Sequence, residues 1–246
     1  MEDKDITKFL TILDKQTKDL LLSTEKLDNY FWMVSTHYPL EPSNILLLLS
    51  QCPKAVRLIP IKKSDNKVYV TKKSQHPIIL LEEIRTKDSS GNLTSHIVKR
   101  EYYDLSQLQD PDDSLYPEET YYPTARQTLK TILSWIPDTH RTIDHSLNGV
   151  HYKDGVFVFG KVTEADLVQP LIYHYCKQLE EYEEQDALYV SLAISALYQH
   201  PCLKADMTLY LSLLLRCESE RAVRSYLFQS HKLFVSIHKK IMNHLL

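Results

Sequence analysis

Residues 164–246 contain no glycine and only two prolines, Pro170 and Pro201. Apolar residues recur through this third of the chain at helical spacing, so it is expected to fold as a stack of packed helices. Thr163 is placed to cap the first, with Glu164 and Asp166 in the first turn where negative charge meets the helix dipole. Leu167, Leu171, Tyr175 and Leu179 form its stripe. A second helix is predicted over about 186–199, ending before Pro201 because the residue ahead of a proline is pushed out of the helical region. The third, about 205–217, is apolar on most sides, which predicts the central, enclosed helix with Leu211 and Leu214 in the core. Ser219 caps the fourth, whose stripe is Val223, Tyr226, Leu227, Phe234, Ile237, Ile241 and Leu245. Its histidines His231 and His238 are expected on the basic flank with Arg221, Arg224, Lys232 and Lys239. Ala165-Asp166-Leu167 and Ala205-Asp206-Met207 echo each other about 40 residues apart, a period that HEAT-like helix pairs also show.

Scarcity of glycine also bounds function. The chain has 4 glycines, where average usage of roughly 7% would give about seventeen. Phosphate cradles, dinucleotide turns and nucleophile elbows need glycine for close backbone approach or positive φ, and none of those motifs occurs. The net charge of −3 argues against wholesale coating of nucleic acid. Cys52, Cys176, Cys202 and Cys217 are scattered without a C-x-x-C pair, which predicts free thiols in a reducing compartment. The charged N-terminus lacks a signal-peptide core, and the apolar run at 45–49 is too short to span a bilayer. The expectation is a soluble cytoplasmic protein.

The first 104 residues predict helices at about 5–22 and 24–36, a short helix from Ser43, and then a change of period. β-rich runs at 55–61 and 67–71 flank Ser64-Asp65-Asn66, and runs at 77–85 and 93–103 flank a polar turn, giving an antiparallel meander. Residues 105–124 are acidic and rich in proline and tyrosine, and are read as a linker. The remainder, 125–246, is a helical domain carrying one hairpin at 149–161, where Asp154-Gly155 is a type I′ turn signal. The fold class is therefore α+β: helices with a small antiparallel sheet in front, an all-helical bundle behind.

Three stretches carry chemistry. His140, His145 and His151, with Asp144 and Asp154, gather metal-ligand types closely enough for a metal-dependent hydrolase, but their spacing matches no established ligand pattern. The segment 54–73 carries Lys54, Arg57, Lys62, Lys63, Lys67, Lys72 and Lys73 against Asp65, with Tyr69 interleaved, a composition suited to phosphates or an acidic protein face. In the linker, Tyr116, Tyr121 and Tyr122 stand among acids and prolines, as short docking segments do. Together these point first to a non-enzymatic adaptor or regulatory protein with another protein as partner and no cofactor. Nucleic-acid binding through the basic hairpin is the alternative, and the hydrolase the second alternative.

Overall fold

The computed structural model describes residues 3–60, 71–87, 93–109, 111, 122–161, 163–200, 202 and 204–245. The fold is α+β, and the chain divides into two compact units. One comprises residues 1–19 and 43–120, the other 20–42 and 121–246.

The first unit holds most of α1 (Asp3–Leu20), α3 (Pro42–Gln51) and the strands β1 (Leu58–Pro60), β2 (Ile78–Lys87) and β3 (Leu93–Asp104). Ile45, Leu46, Leu47 and Leu48 are all buried, so α3 is enclosed on every side. The strands are antiparallel, as expected, but in the order β1-β3-β2: β1 joins the far end of β3, with Leu58 opposite Asp104 and Pro60 opposite Tyr102. The expected strand at 67–71 lies, except for Thr71, outside the described residues; Thr71 bridges Leu108. β2 is an edge strand, and α3 closes part of that edge. Asn44 pairs both amide groups with the Leu81 backbone (2.7 and 2.9 Å), and Gln51 does the same at Ile79 (3.0 and 2.9 Å). Two amides seven residues apart on a helix thus meet alternate residues of a strand, which satisfies backbone groups that would otherwise template aggregation. Beyond Leu81 the β2–β3 ribbon is largely exposed on both faces, through Glu82, Glu83, Arg85, His96 and Ile97. The expected pattern of one packed face and one wet face therefore holds only near its base.

The second unit is built around α6 (Glu184–Leu197). Every residue from Ala187 to Leu197 except Ala196 is buried. Packed on α6 are α2 (Thr24–Thr36), α5 (Glu164–Gln178), α7 (Lys204–Leu214) and α8 (Glu220–Leu245), with α4 (Ala125–Ser134) against α5 and α8. The enclosed helix is therefore α6 and not the third of the rear block. α7 buries only Met207, Tyr210 and Leu214, while Leu209 and Leu215 are 37% and 58% exposed. Leucine density misleads here. α6 alternates bulky residues with alanines and serines that let neighbours approach, and Ser191 returns its hydroxyl to Leu188 O (2.9 Å). Leu214→Ala should cost about 2–5 kcal/mol. Leu211, only half-buried, should lose distinctly less. Urea melts that rank the two the other way would misplace the core.

α8 corrects a second expectation. His231 and His238 are buried rather than on the basic flank, and each meets a tyrosine of the α6 segment. His231 Nε2 faces the Tyr38 carbonyl at 3.0 Å, so it must donate. Nδ1 then accepts from Tyr189 Oη (3.0 Å), whose single proton is thereby used, and Tyr30 Oη donates to Tyr189 (3.3 Å). Burial pushes the imidazole pKa down to about 4, so the ring is neutral at pH 7 and the chain of bonds runs in this direction. Tyr226, expected in the core stripe, is exposed.

A small mixed sheet precedes α5: β4 (Arg141–Ile143) runs parallel to β6 (Val156–Phe159), which pairs antiparallel with β5 (Val150–Lys153). Asp154 (φ 52°) and Gly155 (φ 82°) both take positive φ, as the type I′ turn requires.

Candidate functional site

The basic segment is organised by one polar turn. Asp104 ends β3 with its side chain fully buried. Its Oδ1 accepts from Val56 N (2.7 Å) and Arg57 N (2.9 Å), and its Oδ2 accepts from Ser106 N (2.9 Å) and from the Ser106 hydroxyl. Gln107 completes a capping box on Asp104 N (2.8 Å), and its amide donates to His76 O and Gln75 Oε1 (3.0 and 3.2 Å). Lys72 N donates to Gln107 O (2.9 Å), and Lys72 Nζ to Ser106 O (2.8 Å). Residues 54–57 and 71–76, the two flanks of the basic stretch, are therefore fastened to the same four-residue turn. Leu105 and Leu108 bury beneath it with Ile59. The front of the expected linker is thus part of this unit's core.

Lys54, Lys72 and Lys73 are exposed and Arg57 half-buried at this place. Lys62, Lys63, Lys67 and Tyr69 lie outside the described residues, within the stretch joining the two flanks. Tyr116 and Tyr121 also lie outside them. Tyr122 is half-buried, its ring 6.5 Å from that of Tyr198.

His140, His145 and His151 are all exposed, and among the described residues no three His, Cys, Asp or Glu side chains are grouped to hold a metal ion. Local turns account for this cluster. Asp144 accepts from Ser146 N and Oγ (2.9 and 2.6 Å), which lowers its pKa, and His151 Nε2 donates to Asn148 O (2.7 Å). All four cysteines are free. Burial raises each thiol pKa, Cys202 to about 11, so none is a ready thiolate at neutral pH.

The helical unit holds a groove of about 600 Å³, which sequence reasoning did not identify. One wall is a face of α2 carrying Glu25, Asp28 and Trp32, and the other comes from the end of α6 and the start of α7. Trp32 is 43% exposed there. After α5, Glu180 accepts from Lys240 of α8 (2.7 Å), which also sits over the Trp135 ring at 4.6 Å.

No family model matches the chain, and no curated protein does. Among solved structures, the chain is similar to the metal-free crystal structure of the antirestriction protein ArdC from the R388 plasmid. The TM-score is 0.53 at 9% identity, over 82% of this chain and 85% of that one. The likeness is one of fold. No helix of the described residues is long and apolar enough to cross a membrane.

Proposed function

We propose that this chain is a non-enzymatic binding protein whose α/β unit holds a nucleic-acid backbone against the basic segment 54–73. The observation that carries this reading is the fastening of both flanks of that segment to the Asp104–Gln107 turn. Seven cations separated by up to nineteen positions in sequence belong to one stretch closed at its base. Asp104 is buried, and backbone donors and Ser106 take up both its oxygens, so it does not stand at the surface as a competing acceptor for the lysines. A fold shared with a protein named for opposing restriction, a process that acts on DNA, agrees with this reading. Lysine predominates over arginine, so contacts are to phosphate and carry little sequence preference.

Fluorescence anisotropy with a labelled single-stranded oligonucleotide tests it. Affinity should fall linearly with salt on a log–log plot, with a slope of about −0.7 per phosphate contact. Changing Lys54, Lys62, Lys63 and Lys73 to Glu should abolish binding and leave the melting curve in place, since Lys54 and Lys73 are exposed and such lysines contribute little to stability. Salt-insensitive binding, or binding unchanged in the four-Glu variant, defeats the proposal. The reading as an adaptor for a protein partner rests on a different surface, the groove beside Trp32.

A further inference from the structure

We infer that the groove between α2 and the α6–α7 segment is a docking site for a single arginine side chain presented by a partner protein. This surface is in the helical unit and is independent of the polyanion reading. Asp28 follows Glu25 by three residues and precedes Trp32 by four, so the three lie on one face of α2, spaced by successive turns. An indole exposed beside two exposed carboxylates offers both things a guanidinium takes: a π face to stack on and oxygens for a charge-assisted fork. Lysine fits less well, because its compact, strongly hydrated ammonium neither stacks flat nor binds bidentately.

The opposite wall supports one cation rather than a basic tract. Ala196 and Met207 give it apolar surface for the methylene stem, and the exposed Lys204 sets one positive charge against Glu25 and Asp28, which leaves the lining short of a single cation. His200 lines the same groove, and its Nε2 is buried with no hydrogen-bond partner among the described residues. Burial keeps this imidazole neutral, so it adds no competing charge. Cys202, with its raised pKa, is a packing surface in the groove and not a nucleophile. The volume of about 600 Å³ falls within the range of roughly 300–1,000 Å³ found for ligand clefts.

The test uses the full chain and three capped peptides that differ at one central residue, flanked by leucines: arginine, lysine and citrulline. Citrulline keeps the shape of arginine and removes its charge. Binding is read by NMR at the Trp32 indole N–H and the Met207 methyl, which separates Trp32 from the other tryptophan, Trp135. The arginine peptide should shift both signals, with roughly millimolar affinity for so small a contact. Citrulline should weaken binding about tenfold, as should Asp28→Asn, since each removes a charge-assisted hydrogen bond. Trp32→Leu should remove it, and because Trp32 is half out of the core, the dispersion of the remaining spectrum will report whether the fold survives. The four-Glu variant of the basic segment should bind the arginine peptide unchanged. Equal affinity for the citrulline peptide, affinity for the lysine peptide equal to or above that for arginine, or no shift at the groove at saturating peptide would each overturn the inference.

Discussion

Asp104→Ala should destabilise the α/β unit by about 4 kcal/mol and abolish polyanion binding with it. The carboxylate is completely buried and accepts from two backbone amides of the 56–57 segment and from both donors of Ser106. Removing it leaves those donors without their acceptor. Hydrogen bonds to a charged group contribute roughly 1.5–3 kcal/mol each, and an orphaned buried donor costs about 1–3 kcal/mol. Val56 and Ser106 are exposed, so their freed donors reach water, and that access and relaxation of the turn keep the sum well below the simple total. Asp104→Asn makes the sharper comparison. One side-chain oxygen continues to accept, but the new amide N–H₂ faces either the 56–57 amides or Ser106, so roughly half of the loss should remain. Urea denaturation followed by far-UV circular dichroism measures both. Wild-type stability within about 1 kcal/mol for Asp104→Ala would mean that the turn is held by its apolar base of Ile59, Leu105 and Leu108. The loss of binding should exceed that of any single lysine change, because the turn holds both flanks at once.

That turn shows where the sequence was readable and where it was misread. Asp104-Leu105-Ser106-Gln107 has the spacing of a capping box, yet its polar letters merge into the acidic stretch that follows, and all but Asp104 fall within the stretch that reads as a linker. Elements with strong local signals stood out. Ser23 accepts from Lys26 N at the start of α2, Thr163 accepts from Asp166 N at the start of α5, and Asp154-Gly155 makes its turn. Ala165 and Ala205, whose echo suggested a repeat, stand at the second position of α5 and of α7. What escaped depends on non-local packing. The enclosure of α6 follows from small serines and alanines that let four neighbouring helices approach it, whereas the leucines of α7 draw the expectation to the wrong helix. Nothing within 24–36 announces that α2 will lie against α6 and α7, so the groove beside Trp32 has no signal in the sequence. Histidines were counted as charges, although an imidazole that both donates and accepts is well suited to a buried network. β4, three residues long and paired in parallel with β6, is too short to carry a period.

Those buried histidines set the response to acid. His231 is held neutral with its pKa near 4, against about 6.5 for an unfolded histidine. Above pH 6.5 both states are neutral and the native network keeps its full stability. Between 6.5 and about 4 the unfolded chain binds a proton that the folded chain refuses, so stability falls as pH falls, by about 1.4 kcal/mol per pH unit at most. His231 alone should remove on the order of 3 kcal/mol by pH 4. His238 acts in the same direction, its pKa lowered first by burial and then by Lys239, and so do the partly buried His174 and His200. Asp206 opposes them, because burial raises its pKa and the folded state binds its proton first. The histidines outnumber it, so the helical unit should melt at markedly lower temperature at pH 5 than at pH 7.5, taking up more than one proton on unfolding. His231→Gln keeps a donor toward Tyr38 and an acceptor toward Tyr189 but does not titrate. It should lower the stability at pH 7.5 modestly and reduce the proton uptake at pH 5 by nearly one. A melting temperature that is flat between pH 7.5 and 5, or a His231 ring that titrates near 6.5 by NMR in the folded protein, would show that water reaches this imidazole and that the Tyr30–Tyr189–His231 chain is not closed.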